Sequence, residues 1–273
     1  MGIYLYTRNI LENGTVTVTG GDPDTGYPVA RLYDRYADLS WKCTTGSDYK
    51  VGPMGGDTYS IGPMGGDTYE IGDIGQTFNF QIQQEANNQK FIDTLLIAGH
   101  NFDGRLMKWQ YSDDGAEWTD ALSSWTQDGN ALIVKSISEL NKPFWRVNVY
   151  NAVDPVCGEI VMSLGQTFPV MYAPNPAKIA RPNIAWSQSI GGTERGIKYG
   201  GAKREWDYQL NLISTELTTF ETAMDDLSDL TRPFFVKDHL STYMLVRFID
   251  PPAYNFKSIA DSLQEIPFFI KEL

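Results

Sequence analysis

The feature that most constrains the fold of this chain is a two-residue alternation of apolar and polar side chains. In 206–212, two aromatic residues and two leucines alternate with acidic and amide residues. In 78–83, two phenylalanines and an isoleucine alternate with asparagine and glutamine. Successive side chains of a β-strand point to opposite faces of the sheet, so this pattern predicts strands with one buried and one solvated face. The alternation therefore predicts a mainly β protein.

Segments of the same kind occur from one end of the chain to the other. Predicted strands cover 15–19, 78–83, 91–98, 107–112, 131–137, 145–149, 159–164, 206–212, 234–237, 243–249 and 268–271. The run 91–98 is apolar almost throughout, which is typical of a central strand. The segment 107–112 ends in a turn sequence, Ser-Asp-Asp-Gly. This spacing favours antiparallel sandwiches.

One segment has a helical period instead. Its apolar residues follow at three- and four-residue steps and form one stripe: Leu217, Phe220, Met224, Leu227 and Leu230. That spacing predicts an amphipathic helix near 215–230. A hydroxyl of Ser214 or Thr215 is expected to cap its N-terminus, and Pro233 is expected to follow its end.

The length of 273 residues fits two domains. Residues 169–182 hold four prolines, which have no N–H to give to a sheet ladder, so this stretch is interpreted as a linker or an irregular sheet edge. We therefore predict two tandem antiparallel β-sandwich-type domains, 1–168 and 169–273. The helix packs in the second domain.

An internal repeat interrupts the first domain. Residues 51–60 read VGPMGGDTYS and residues 61–70 read IGPMGGDTYE. Each copy joins a glycine-rich turn to a short strand, which predicts a repeat-extended hairpin at 51–72. The repeat is either a duplication that lengthens a tolerant loop or an arm that contacts a neighbouring subunit. The candidate subunit contacts are Met54, Tyr59, Met64 and Tyr69.

Charge and hydropathy exclude several classes of partner. Acidic residues outnumber basic ones 34 to 22, and the resulting net charge of −12 disfavours nucleic acid. No apolar run is long enough for a membrane span, and the N-terminus lacks a signal-peptide pattern. The two cysteines, Cys43 and Cys157, are expected to be reduced and buried.

The motifs of common catalytic and cofactor sites are absent from the sequence: GxSxG, the P-loop, HExxH, the EF-hand loop and GxGxxG between a strand and a helix. We therefore expect no catalytic residues, no cofactor and no resident metal. The loop 20–26, GGDPDTG, offers oxygen ligands to calcium, although a plain turn is the favoured interpretation.

Two blocks of the first half resemble a known family. Residues 29–41 (VARLYDRYADLSW) and the pair 92–102 (IDTLLIAGHNF) and 110–118 (QYSDDGAEW) resemble the opening and the core of discoidin-like, galactose-binding-like domains. The resemblance implies a jelly-roll sandwich. It also implies structural roles for Trp41, Trp118 and His100. Members of this family often bind glycans or lipids through variable loops.

The second half resembles distal-tail and minor-tail proteins of bacteriophages. The resemblance rests on 181–187 (RPNIAWS), 200–206 (GGAKREW), the predicted helix and 232–238 (RPFFVKD), in that order. It implies a non-enzymatic virion protein of the tail tip, baseplate or fibre-attachment region, made in the bacterial host cytoplasm. The implied partners are other virion tail proteins, in a homo-oligomeric ring or another symmetric assembly.

Two further functions stay open. The chain is alternatively a carbohydrate-binding module that recognises host surface glycans, and its candidate glycan contacts are Tyr27, Tyr36 and Trp125. Two or more of these rings exposed on one concave patch would favour that function. A polysaccharide hydrolase is the third interpretation, and it requires two carboxylates about 5–10 Å apart in a cleft.

Overall fold

The computed structural model describes residues 2–20, 22–34, 40–44, 76–86, 88–169, 179–188, 194–227, 230, 232–238, 240–253, 255–258 and 263–273. In chain order its strands are β1 (Gly2–Tyr6), β2 (Gly14–Thr19), β3 (Asp22–Pro23), β4 (Trp41–Thr44), β5 (Gln76–Gln84), β6 (Phe91–Ala98), β7 (Leu106–Ser112), β8 (Thr119–Asp120), β9 (Trp125–Thr126), β10 (Ile133–Asn141), β11 (Phe144–Ala152), β12 (Val156–Cys157), β13 (Glu159–Ser163), β14 (Gln166–Pro169), β15 (Ile179–Gln188), β16 (Glu194–Leu212), β17 (Phe234–Lys237), β18 (Tyr243–Phe248), β19 (Asn255–Ser258) and β20 (Leu263–Glu272). The helix is α1 (Ser214–Asp226), and Ile10–Asn13 and Val29–Leu32 form single 3-10 turns. The predicted fold class, mainly β with antiparallel sheets and one packed helix, is confirmed.

The chain divides into two compact units. One, called here the sandwich unit, is Ile10–Met162. The other, called here the split unit, combines Met1–Asn9 with Ser163–Leu273. The sequence boundary was placed between residues 168 and 169, with all of 1–168 in the first domain. In the structure the first nine residues and the segment that contains β14 lie in the split unit instead.

The sandwich unit is built from two sheets with a core between them. A six-stranded sheet has the order β2-β5-β11-β7-β8, with β9 also paired to β7. A three-stranded sheet has the order β10-β6-β13, and β12, β4 and β3 form a further small sheet. Alternate residues of these strands point inward. The fully buried aromatic residues of the unit, which include Phe102 of the loop after β6, belong to one core cluster: Trp41, Phe78, Phe80, Phe102, Trp109 and Trp145.

The split unit contains one sheet and the helix. Its sheet has the order β14-β1-β17-β18-β20-β16-β15, with β19 paired to β20. Trp206, Tyr208, Leu210 and Leu212 are buried, as their alternation predicts. Pro182 lies on β15, the last strand in the order, beside an irregularity in the pairing with β16, so the proline is found where a missing N–H is tolerated.

The helix occurs where the period predicts it, but it begins differently and it ends at Asp226, so Leu230 of the predicted stripe lies beyond the helix with a φ of 59°. Phe220, Met224 and Leu227 are buried against the sheet. The residue before the helix is Ile213, and neither a Ser214 nor a Thr215 hydroxyl caps the N-terminus, so that prediction was wrong. The Glu216 carboxylate instead accepts the Ile213 N–H at 3.1 Å, and negative charge in this turn suits the helix dipole.

Candidate functional site

The candidate site is the face of the six-stranded sheet that points away from the core. Side chains on one face of a sheet lie in rows across neighbouring strands. One row crosses five strands: Thr17, Gln81, Arg146, Gln110 and Asp120. The adjacent row crosses four: Thr19, Asn79, Asn148 and Lys108. Every member of both rows is polar, although the same strands bury apolar residues on their other face. This surface is called here the polar sheet face.

Gln110 joins the rows into one hydrogen-bond network. Its side-chain oxygen accepts from Arg146 Nε at 2.7 Å and from Asn148 Nδ2 at 2.8 Å. Its side-chain nitrogen donates to the Asp120 carboxylate. Gln110 and Asn148 are buried, so these bonds form out of contact with bulk water. A network of this kind holds each planar group in one orientation.

An aromatic ring lies against this network. The Arg146 guanidinium carbon lies 4.0 Å from the centre of a Trp118 ring, a cation–π contact. Burial lowers the pKa of Arg146, while the charges of Tyr150 and Asp120 act in the opposite direction. The guanidinium stays charged at neutral pH because its ordinary pKa lies far above 7. Trp118, Arg146 and Asp120 thus place an aromatic surface, a cation and a carboxylate side by side.

A rigid turn positions Trp118. The Asp114 carboxylate accepts the backbone N–H groups of Ala116 at 2.8 Å and of Glu117 at 3.0 Å. These bonds to the charged form lower the pKa of Asp114. Gly115 has a φ of 77°, in the left-handed region that favours glycine. The Asp-Gly turn predicted from the sequence therefore also determines where the tryptophan lies.

Asn79 adds an acceptor at the middle of this face. It lies opposite Asn148 in the pairing of β5 with β11. Its side-chain oxygen is buried and has no hydrogen-bond partner among the described residues. Buried polar atoms usually have a partner from the protein or from ordered water, so a bound water molecule is the expected partner of this oxygen.

Five of the seven predicted contact residues lie outside the described residues. They are Met54, Tyr59, Met64 and Tyr69 of the repeat, together with Tyr36. The predicted hairpin at 51–72 is outside them as well. These positions stay predictions.

The two remaining candidates, Tyr27 and Trp125, are both partly exposed. Tyr27 follows the turn after β3, and Lys42 Nζ lies 4.3 Å from its ring centre. Trp125 lies on β9 and packs against the core cluster, and Lys135 Nζ lies 4.7 Å from its ring. The rings of Tyr27 and Trp125 each contact a different lysine. Within the described residues there is no contact between the two rings, so the structure does not bring them together as one aromatic patch.

His100 is held as a neutral side chain. Its ring is buried and stacks on Phe102 with 5.1 Å between centroids. Nδ1 accepts the Phe102 N–H, which leaves Nε2 to donate to the Ala131 carbonyl at 2.8 Å. Burial lowers the pKa of His100. Both nitrogens are used inside the protein, which agrees with the structural role that the resemblance implies.

The cysteines are buried in the same unit. Both Cys43 and Cys157 are free thiols. Burial raises the pKa of Cys157 far above its ordinary value, so this thiol is not a nucleophile near neutral pH.

Among the described residues, no group of three or more His, Cys, Asp or Glu side chains is arranged to hold a metal ion. No helix in the described part of the chain has the length and apolar composition of a membrane span.

Arg146, Gln110 and Trp118 were not among the predicted contacts. The family resemblance implies a structural role for Trp118, but this residue lies against the polar sheet face and outside the core cluster. The sequence did contain a signal for this site. On the predicted strands, the positions between the apolar residues hold large planar amides and an arginine.

Comparisons with known proteins give matches among solved structures alone: no family model and no curated protein matches the chain. One similar structure is chitosan-binding module 1 of a chitosanase/glucanase from Paenibacillus sp. IK-5, with 11% identity, a TM-score of 0.40, and coverage of 57% of this chain and 98% of that one. Another is the module CpGH89CBM32-6 produced by Clostridium perfringens, with 18% identity, a TM-score of 0.38, and coverage of 57% and 98%. A third is CpGH89CBM32-5 from Clostridium perfringens in complex with GalNAc-β-1,3-galactose, with 12% identity, a TM-score of 0.39, and coverage of 57% and 98%.

Proposed function

We propose that the sandwich unit is a carbohydrate-binding module and that the chain acts by binding, without catalysis. The observation that carries the proposal is the polar sheet face. There, Arg146, Gln110 and Asp120 form one network beside the ring of Trp118. The alternative function that the sequence left open is thus the one that the geometry supports best.

The chemistry of this face suits a sugar. A pyranose ring has hydroxyl groups around its edge and C–H groups on its faces. An indole surface packs against the C–H groups, while amides, carboxylates and guanidinium groups exchange hydrogen bonds with hydroxyls. Few polar groups in fixed places are enough to orient a small ligand. Because the network already holds these groups, binding requires little further ordering of side chains.

Three carboxylates of the acidic pairs 113/114 and 225/226 have structural roles. Asp113 forms an ion pair with Lys142 at 2.9 Å. Asp114 holds the turn before Trp118. In the split unit, the Asp226 carboxylate accepts from Arg8 Nε at 3.1 Å. Carboxylates held in this way support a binding role.

The test is affinity electrophoresis of the full chain through gels that contain soluble polysaccharides, preceded by a glycan array to choose them. Trp118→Ala is expected to lower affinity at least about tenfold, because it removes the aromatic surface and the support of Arg146. Phe91→Ala is the matched control, since Phe91 is an exposed aromatic residue of the other sheet. If no glycan retards the wild-type chain, or if both variants lose binding equally, the proposal is wrong.

For the split unit we propose a second function, assembly in a phage tail. Residues 194–204 of β16 have β15 as their sheet partner, and β15 is the last strand in the sheet order. A free strand edge is a template for pairing with another chain. This observation supports pairing with another chain, which is what the assembly implied by the sequence resemblance requires.

The test of assembly is the molar mass of the full chain, measured by light scattering coupled to size exclusion. We expect a defined symmetric oligomer, alone or after addition of the neighbouring tail proteins. A chain that stays monomeric at high concentration, and that forms no complex with tail proteins, would exclude this second function. The glycan-binding proposal would be unaffected.

A further inference from the structure

Two positive charges of the sandwich unit converge on one aromatic ring. Lys42 Nζ lies 4.3 Å from the centre of the Tyr27 ring, and the Arg31 guanidinium carbon lies 5.1 Å from it. The two cations are therefore within about 10 Å of each other. All three side chains are partly exposed, so the cluster is accessible from solvent.

Backbone hydrogen bonds build this cluster. The Asp24 N–H donates to the Lys42 carbonyl at 3.3 Å, and the Tyr27 N–H donates to the Asp24 carbonyl at 2.9 Å. Arg31 belongs to the 3-10 turn Val29–Leu32, and its N–H also donates to a backbone carbonyl. Three residues from two segments are thus held side by side by the main chain.

The cations of this cluster have no ion-pair partner among the described residues. The carboxylate of Asp24 belongs to the same turn, but its Oδ1 accepts the Gly26 N–H at 2.9 Å. In a chain with a net charge of −12, two converging cations that no carboxylate of the described residues pairs with indicate a place where an anionic group fits.

We propose that Tyr27, Arg31 and Lys42 form an anion-selecting subsite, which makes the module prefer sugars that carry a carboxylate or a sulfate ester. The inference rests on the proposed carbohydrate binding of the sandwich unit. A guanidinium donates two parallel hydrogen bonds to the oxygens of such a group, and an ammonium adds a compact charge.

The negative charge of the whole chain does not prevent this contact. At an ionic strength of 0.15 M, charges farther apart than about 8 Å are largely screened from one another. An acidic group that touches Arg31 and Lys42 is therefore screened from the distant acidic residues, and the Asp24 carboxylate of the same turn is the nearby negative charge. Affinity should be compared at this ionic strength.

The experiment uses the full chain and two matched pairs of polymers. One pair is polygalacturonate and its carboxyl-reduced counterpart, and the other is dextran sulfate and dextran. The acidic member of at least one pair is expected to bind about tenfold more tightly, because a hydrogen bond to a charged group is stronger than one to a hydroxyl. The pair that shows the preference identifies whether carboxylate or sulfate is selected.

Three variants locate the effect. The double variant Arg31→Gln with Lys42→Gln is expected to bind the acidic polymer no better than the neutral one. Lys135→Gln, which removes the lysine over the Trp125 ring, is the matched control and should keep the preference. The conservative variant Arg31→Lys keeps the positive charge but loses the two parallel hydrogen bonds, so it should retain part of the preference for the acidic polymer. Thermal unfolding of each variant verifies that the fold is retained.

The outcomes separate this inference from the proposed function. Equal binding of acidic and neutral polymers overturns the subsite and leaves carbohydrate binding intact. A preference that survives in the double variant overturns the assignment to Arg31 and Lys42. Absence of binding to all four polymers and to every glycan of the array overturns both proposals.

Discussion

The two faces of the six-stranded sheet are made by the same strands, yet they differ in almost every property. On β11, Trp145 and Val147 are fully buried in the core, while Arg146 and Asn148 between and beside them belong to the polar sheet face. On β7, Trp109 is fully buried beside the network residue Gln110. One backbone register therefore aligns an apolar layer on one side and a hydrogen-bonded layer on the other.

This difference separates stability from recognition. The inner face contributes through the burial of large apolar side chains, which is the main favourable contribution to folding. The outer face contributes oriented polar groups, whose bonds in the folded protein replace bonds to water and give a smaller net gain. Substitutions on the two faces should consequently be distinguishable by what they change.

The largest effect is expected on the inner face. Trp145 packs on Trp109 with 5.4 Å between ring centres, and its Nε1 donates to the Lys142 carbonyl at 2.9 Å. Trp145→Ala should lower the free energy of unfolding by about 3–5 kcal/mol, because it leaves a cavity. Urea unfolding measures the change, with the exposed Thr17→Ala as control. If Trp145→Ala fails to fold, Trp145→Phe should fold with a smaller loss. If Trp145→Ala lowered the free energy of unfolding no more than Thr17→Ala does, the inner face would not be the main source of stability.

An intermediate effect is expected at the centre of the polar network. Gln110→Leu removes the acceptor of Arg146 and Asn148, and it should cost about 1–3 kcal/mol because buried donors lose their partner. The double variant Gln110→Leu with Asn148→Leu should lose less than the sum of the two single variants. Urea unfolding of the three variants forms the cycle. Additive losses would show that these two residues are not coupled.

A pH effect is expected at His100, a polar ring that the apolar part of the sandwich holds neutral. Its pKa is lowered in the folded protein from an ordinary value of 6.5, so the unfolded chain binds a proton first as pH falls. The stability contributed by the neutral ring is complete above pH 6.5 and is lost as pH falls towards the folded pKa. The slope for one proton is at most about 1.4 kcal/mol per pH unit. Unfolding curves between pH 7.5 and about 5 measure it, and His100→Gln should flatten the slope. An unchanged slope in the variant would contradict the assignment.

The smallest change in stability is expected at Trp118, where the loss of glycan binding should be largest. The ring lies outside the core cluster, so Trp118→Ala should change the free energy of unfolding by about 1 kcal/mol or less. Urea unfolding and affinity electrophoresis on the same sample separate the two quantities. A stability loss comparable to that of Trp145→Ala would place Trp118 in the structural layer and remove it from the candidate site.

The strands were the most predictable part of the molecule. The predicted strand 91–98 coincides with β6, and the predicted segments 15–19, 78–83 and 107–112 lie within one or two residues of β2, β5 and β7. Their periods are local, because burial on one face requires an apolar residue at every second position. The helix was found for the same reason, and its cap was missed because the Glu216 side chain rather than a hydroxyl makes the bond.

The candidate site was much less predictable. Arg146 and Gln110 are 36 residues apart in the chain, and only the pairing of β11 with β7 brings them together. The partners of the N-terminal strand were also not predictable. β1 pairs with β14 and with β17, and both strands are far from β1 along the chain. Neither partner is indicated by local periodicity.

The sequence by itself determined the strands that have a clear two-residue alternation, the apolar side of each of these, where the helix lies and where the Asp-Gly turn falls, whereas β1, β4 and β15 were not among the predicted strands. These properties follow from interactions between residues a few positions apart. The tertiary structure alone decided which strands are neighbours, and with them the row of Gln81, Arg146, Gln110 and Asp120 and the convergence of Arg31 and Lys42 on Tyr27. Register and strand order depend on long-range pairing, so the groups that can recognise a ligand meet only when the whole sandwich has formed.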